Sequence, residues 1–204
     1  MDALIRQLND DMAGVVAAVR PSLVQITNGR GGAGAGTIWH ADGLIVTNAH
    51  VIAGRGELHV ALNDGSTYHA QIIAQDTDHD LAALSINASD LPVIEPGDSR
   101  QLRPGEWVMA LGHPFGVLNA ATGGVVIGMG QQLGDIQFRN GADWLAVNLR
   151  LRPGHSGGPL VDARGRLVGV NTIMNGPEVG VAIPVHVVKA FLKEHLGTAH
   201  KRAG

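Results

Sequence analysis

The stretch Pro153-Gly154-His155-Ser156-Gly157-Gly158-Pro159-Leu160 decides how the chain is read. Glycines around a serine let the backbone turn sharply and leave N–H groups free beside the hydroxyl. Such donors can hold the oxyanion of an acyl-transfer intermediate while the hydroxyl attacks the carbonyl. A serine hydroxyl is a weak nucleophile alone. It needs a base within hydrogen-bond reach and a third group to orient that base. A merely flexible glycine loop would carry the same letters, so the rest of the chain must supply a histidine and a carboxylate in suitable settings.

The totals narrow the field. A chain of 204 residues holds one large domain or two closely packed small ones. With 45% apolar residues it can bury a core. Its 29 glycines and few long helical runs favour short strands joined by tight turns. A net charge of −3 gives no electrostatic case for binding nucleic acid. The absence of cysteine excludes disulfides, thiolate chemistry and cysteine-ligated zinc. His59, His69 and His79 lie around strands with no close ligand pair, so neither a metal site nor a cofactor is expected. No apolar run reaches membrane-spanning length, so stable membrane insertion is not expected. The N-terminal residues MDALIRQLNDDMAG lack the apolar stretch of a signal peptide. As written the chain reads as soluble and cytoplasmic, unless an upstream segment has been removed.

Residues 2 to about 20 read as an amphipathic helix, with Leu4, Ile5, Leu8, Met12, Val15, Val16 and Val19 at helical spacing and Pro21 as its stop. It is expected to pack on its own domain, with an oligomer contact as the other reading. Asn28–Gly36 reads as a glycine-rich turn; it lacks the lysine of a phosphate-binding loop. Predicted strands follow at Ser22–Thr27, Thr37–Trp39, Leu44–Thr47, Leu58–Leu62, Thr67–Ala74 and Leu81–Ile86. A polar crossover, Asn87–Arg103, leads to a second set at Glu106–Leu111, Ala121–Met129, Trp144–Leu149, Pro159–Val161, Leu167–Ile173 and Val179–Ile183. Six strands per half predict an all-β fold of two closed antiparallel barrels, over 22–95 and 104–184, because closure removes exposed edges. Val185–His195 reads as a closing helix with Val187, Val188, Phe191 and Leu192 facing inward and Gly197 as its stop.

His50 stands out among ten histidines. It follows the apolar strand Leu44–Thr47 and begins a short helical turn, so its imidazole sits at the rim of a rigid barrel. Asp80 opens the strand Leu81-Ala82-Ala83-Leu84, where a half-buried carboxylate can hold a histidine Nδ1–H and stabilise the imidazolium. Asp76 and Asp78 are its nearby rivals.

Thr47-Asn48-Ala49-His50-Val51, Asp80-Leu81-Ala82 and Gly154–Leu160 together resemble the three catalytic blocks of chymotrypsin-fold serine proteases. Finer features are similar to the HtrA/Deg branch: Arg20-Pro21-Ser22-Leu23-Val24, Gly112-His113-Pro114-Phe115-Gly116 and Gly180-Val181-Ala182-Ile183-Pro184. The resemblance runs from about residue 10 to 195. It implies a single trypsin-like domain over 1–204, His50 as base, Asp80 as its orienter and Ser156 as nucleophile. It also implies an oxyanion hole in Gly154, His155 and Ser156, donated by the Gly154 and Ser156 N–H groups. The implied activity is endopeptidase cleavage of unfolded or damaged proteins, and the implied compartment is the cell envelope or periplasm if a leader was removed. Members commonly carry a peptide-binding PDZ domain after the protease domain; none is expected within this chain. Many trimerise through aromatic residues near the N-terminus, and the first helix here has none. His155 stands where the family usually has asparagine, and Arg150 and Arg152 where it has small or uncharged residues.

In the fold so implied, the specificity pocket draws on Arg150, Leu151, Thr172, Ile173, Met174 and Gly180. If Leu151 and Met174 line it, cleavage follows small aliphatic residues and Arg150 lies solvated or paired with an acid such as Asp143. If Arg150 points inward, cleavage follows Asp or Glu. The aliphatic outcome is expected, since an unpartnered buried guanidinium is costly. Two other readings compete. Gly154–Gly158 also fits the G-x-S-x-G elbow of α/β-hydrolases, but that order of triad would have to fit its acid and histidine into the last fifty or so residues. A protease-like domain that only binds peptide or acts as a chaperone is the non-enzymatic alternative.

Overall fold

The computed structural model describes residues 1–29, 33–54, 56–133, 143–174 and 178–197. Helix α1 (Asp2–Val19) leads, after a short 3₁₀ turn at Arg20–Ser22, into β1 (Leu23–Thr27). The ring of Pro21 removes the N–H that another α-turn would need, and Ser22 Oγ donates to the Val19 carbonyl at 2.8 Å. The remaining strands of the first half are β2 (Ala33–His40), β3 (Leu44–Thr47), β4 (Leu58–Ala61), β5 (Thr67–Asp76) and β6 (Leu81–Ile86). Those of the second are β7 (Trp107–Gly112), β8 (Ala120–Met129), β9 (Leu145–Asn148), β10 (Pro159–Asp162), β11 (Leu167–Met174) and β12 (Gly180–Pro184), followed by α2 (Val185–Leu196).

Each set closes on itself in antiparallel pairs, in the order β1-β2-β3-β6-β5-β4 and β10-β11-β12-β9-β8-β7. The fold is therefore the double barrel expected from the strand pattern. Inward positions alternate along the strands and fill the first barrel with Val24, Ile26, Ile38, Ile45, Val60 and Leu84. Val108, Ala110, Val126, Leu145, Val147 and Leu160 fill the second. Burying an aliphatic side chain of this kind contributes about 1.5–3 kcal/mol, so each barrel is stabilised chiefly by its own interior.

Two apolar seams join the barrels. One gathers Leu23 and Ala35 with Met109, Leu111, Val161 and Leu167, and takes in Val19 of α1. The other sets Val46, Leu81 and Ala83 against Val170, Val181 and Ile183, under Val188, Phe191 and Leu192 of α2. Only the C-terminal half of α1 joins a seam: Met12, Val15 and Val16 pack there, whereas Leu4, Ile5 and Leu8 are exposed. The expectation that the whole apolar stripe packs on its own domain thus holds for half the helix.

One local expectation needs correction. Gly34 and Gly36 belong to β2, not to a turn. A Cβ on Gly34 would lie 2.6 Å from Val51, and one on Gly36 2.8 Å from Ile26, so glycine is what the close packing inside the barrel admits. Gly197 ends α2 as expected, with an ordinary helical φ of −65°.

Candidate active site

The first barrel brings His50 and Asp80 together. β3 ends at Thr47, and Asn48 in extended conformation enters a 3₁₀ turn, Ala49–Val51, that lifts His50 off the barrel rim. Asp80 has φ 55°, a region that non-glycine residues seldom adopt without support. The support is visible. Its carbonyl accepts the Ala49 N–H at 3.1 Å and Asn48 Nδ2–H at 3.0 Å. One carboxylate oxygen accepts the His50 N–H at 3.0 Å. The other lies 2.7 Å from His50 Nδ1 and accepts the Thr172 hydroxyl at 2.6 Å. Burial pushes the Asp80 carboxyl up, but the hydrogen bonds from the His50 ring, Thr172 and the His50 N–H outweigh it and hold the group below the usual carboxylate range.

An ionised Asp80 accepts only, so the proton of the neutral His50 ring sits on Nδ1 and the Nε2 lone pair faces outward. The rival acids are differently engaged. Asp76 pairs with His79 Nδ1 at 2.6 Å and accepts the N–H groups of Asp78 and His79. That cap closes the turn delivering Asp80 to its place.

The second barrel supplies the serine. Ser156 lies between β9 and β10, and its carbonyl is tied to the first barrel by the Ala35 N–H at 2.8 Å. Its hydroxyl donates to the Thr172 carbonyl at 2.8 Å, not to the His50 ring. Thr172 of β11 therefore touches both halves: its hydroxyl holds Asp80 and its carbonyl holds Ser156. Sequence reasoning placed Thr172 only in the pocket wall. It stands 92 residues from Asp80 in the chain, so no local pattern marks the contact.

The glycine turn has a telling pattern of backbone bonds. The His155 N–H donates to the Arg152 carbonyl at 2.9 Å, Gly157 N–H to Asn171 at 2.8 Å and Gly158 N–H to His155 at 2.9 Å. The Gly154 and Ser156 N–H groups have no acceptor among the described residues. Arg152–His155 is a turn with Pro153 second and Gly154 third, and Gly154 has φ +102°, the combination that a type II turn requires. The Pro153 carbonyl accepts the Phe115 N–H at 3.4 Å. Carbonyl and N–H of one trans peptide point in opposite directions, so this anchor turns the Gly154 N–H the other way. A Cβ on Gly154 would lie 2.3 Å from the His113 carbonyl, so the position excludes side chains twice over.

Of the predicted pocket residues, Leu151 is buried, and its N–H donates to Met174 Sδ at 3.1 Å. Gly180 packs against Leu149 and Leu151. The side chain of Ile173 lies outside the described residues. Arg150 Nη2 pairs with Glu178 Oε1 at 3.0 Å, both well exposed. Its partner is therefore Glu178 and not Asp143, which approaches His186 Nε2 at 3.5 Å. Among the described residues no group of three or more histidines and acids is arranged to hold a metal, and no helix is long and apolar enough to cross a membrane.

Two closed barrels meeting along a cleft define the chymotrypsin-like class of fold. Comparison with known proteins agrees. Residues 34–170 match the family model of the trypsin-like peptidase domain. The chain is 38% identical over 195 residues to serine protease HTRA1 of Xenopus laevis, covering 90% of this chain and 42% of that protein. It is 39% identical over 176 residues to mitochondrial serine protease HTRA2 of Drosophila persimilis, covering 82% and 41%. The structure of the HtrA-type protease AlgW with a tripeptide superposes with TM-score 0.82 at 33% identity, covering 91% of this chain and 64% of that one. The chain belongs to the trypsin-like peptidase family, in its HtrA branch. It spans about two fifths of the length of the two curated relatives.

Proposed function

We propose that this domain is a serine endopeptidase that cleaves unfolded polypeptide through an acyl-enzyme on Ser156, with His50 as base and Asp80 as its orienter. The observation that carries the reading is the hydrogen-bonded chain from His50 through Asp80 and Thr172 to Ser156. It draws the three side chains together from positions 30 and 76 residues apart (50 to 80, 80 to 156). To react, Ser156 Oγ exchanges its bond to the Thr172 carbonyl for one to His50 Nε2, by a rotation about χ1. His50 then takes the hydroxyl proton as Oγ bonds to the substrate carbonyl carbon. Asp80 steadies the imidazolium, which next protonates the leaving amine. Water, deprotonated by the same imidazole, attacks the ester and releases the acid product and Ser156. The free N–H groups of Gly154 and Ser156 are the donors for the oxyanion in both halves of the reaction.

The pocket favours a small aliphatic residue before the scissile bond. Leu151 and Met174 supply its apolar lining, while Arg150 is occupied at the surface by Glu178. Incubation with an unfolded casein-like chain, followed by mass spectrometry of the products, tests both parts. Cuts after Val, Ala, Ile or Leu are expected. Dominant cuts after Asp or Glu that vanish in Arg150→Ala would overturn the pocket assignment. No cuts at all would favour a peptide-binding domain without turnover.

A further inference from the structure

Two buried histidines flank the glycine turn and take no part in the proton transfers. His155 is 3% exposed and His113 is 5% exposed. His155 Nδ1 lies 3.1 Å from the Arg152 nitrogen and 3.2 Å from the Arg152 carbonyl oxygen. That carbonyl already accepts the His155 N–H, which closes the turn. The ring is therefore placed to accept the Arg152 N–H, which makes Nε2 the protonated nitrogen. His113, just beyond β7, grips the other side. Its N–H donates to the Gly154 carbonyl at 2.8 Å, and its Nδ1 accepts the Asn119 N–H at 3.2 Å. Asn119 Nδ2–H in turn donates to Asn63 of the first barrel at 2.9 Å. Both Nε2 atoms are buried without a hydrogen-bond partner among the described residues.

We propose that His113 and His155 are positioning residues for the oxyanion turn, His155 through its neutral ring on Arg152 and His113 through its backbone N–H on Gly154 with its neutral ring fixed by Asn119, and that protonating either ring releases the turn. The proposal rests on the reading of Gly154 and Ser156 as oxyanion donors. Its chemistry is one proton per ring. An imidazolium donates from both nitrogens and accepts at neither. On His155 the new Nδ1–H would repel the Arg152 N–H and compete for the Arg152 carbonyl, which now closes the turn. On His113 it would face the Asn119 N–H and break that contact. The surroundings resist the charge. Burial pushes both rings below the usual imidazole range; at His155 the nearby Arg152 carbonyl offsets this in part and the Arg152 guanidinium adds to it. At His113 the Val24 carbonyl of β1 offsets burial in part, and His155 itself lowers the ring further. Among the described residues the charged and titratable groups acting on the pair are thus Arg152 and the two rings; there β1 presents a backbone carbonyl and the segment 114–119 an N–H. The device is built to stay neutral at ordinary pH and to open only once acid passes below the usual imidazole range.

Long-range ¹H–¹⁵N spectra of the histidine rings in the intact chain, followed with the backbone amides from about pH 7.5 to about 4.5 around the imidazole range, test this without any turnover. The Nε2–H form is expected for both rings at the neutral end. The Gly154 amide should then shift with the titration of His155 and His113. In kinetics, the acid limb of log kcat/KM should be steeper than first order, and should return to first order in His113→Asn/His155→Asn. Asparagine Oδ1 can accept where Nδ1 did, yet does not titrate. His155→Ala should lower kcat by on the order of tenfold, below the full loss of an oxyanion donor, and His155→Asn should restore most of it. An Nδ1–H ring on His155 at neutral pH, or a Gly154 amide indifferent to both titrations, would overturn the proposal even in an active protease. An inactive protein with the expected spectra would instead sink the enzymatic reading.

Discussion

The two sides of the cleft are held in different ways. On the first barrel, Asp80 is fixed by charge: an ionised carboxylate accepts from the His50 ring, the His50 N–H and the Thr172 hydroxyl. On the second, the turn at 152–158 is fixed by backbone geometry and by neutral rings: a left-handed Gly154, a closing bond from His155 to Arg152, and histidine acceptors behind it. Charge-assisted bonds are roughly twice as strong as neutral ones. In the proposed mechanism the base is oriented by the robust side and the oxyanion is stabilised by the conditional one.

The largest effect should come from the atom both sides serve. Ser156→Ala should lower kcat on the order of a millionfold with the fold unchanged, as removal of a triad nucleophile does; circular dichroism and casein turnover check the two halves of that statement. Breaking the charged side is next. Asp80→Asn should cost roughly four orders of magnitude at neutral pH, because the imidazole loses the acceptor that sets its tautomer. Gly154→Ala attacks the other side. Its Cβ clashes with the His113 carbonyl, and losing one oxyanion donor costs about 10²–10³ in kcat. Thr172→Val gives the smallest loss. It removes one of several donors to Asp80 and should lower kcat on the order of tenfold, as loss of a hydrogen bond to a charged group worth about 1.5–3 kcal/mol allows. An equal loss in Thr172→Val and Asp80→Asn would mean that the Thr172 contact, not the imidazole contact, is what holds Asp80.

Acid should separate the two sides. The rings of His113 and His155 titrate lower folded than unfolded. Their contribution to stability is complete above the unfolded imidazole value of about 6.5, and is lost as pH falls below it. The Asp80 carboxyl is also held low, so its contribution is complete above about pH 3.9 and is lost only below. Hydrogen exchange across this range should show the bonded amides of Arg152, His155, Gly157 and Gly158 losing protection before those at 49–51.

Much of this was legible in the sequence because it is local. The strand-then-turn setting of His50, the strand-opening Asp80 and the glycine-framed Ser156 each declare themselves within a few residues. The twelve strands followed from alternation and turn chemistry. What stayed hidden is what the barrels bring together from a distance. Thr172 meets Asp80 across the cleft, and Phe115 and His113 grip a turn some forty residues later. Arg150, just after β9, found Glu178, just before β12, instead of Asp143. The glycines of β2 were read as a turn because glycine marks close packing and tight turns with the same letter.

The central claim is that His50 makes Ser156 a nucleophile although the resting hydroxyl is bonded to the Thr172 carbonyl. Reaction with a fluorophosphonate, read by intact mass and peptide mapping, tests it most directly. The account predicts one adduct, on Ser156, absent in Ser156→Ala and abolished in His50→Ala. An adduct on another residue, or undiminished labelling of Ser156 in His50→Ala, would contradict it.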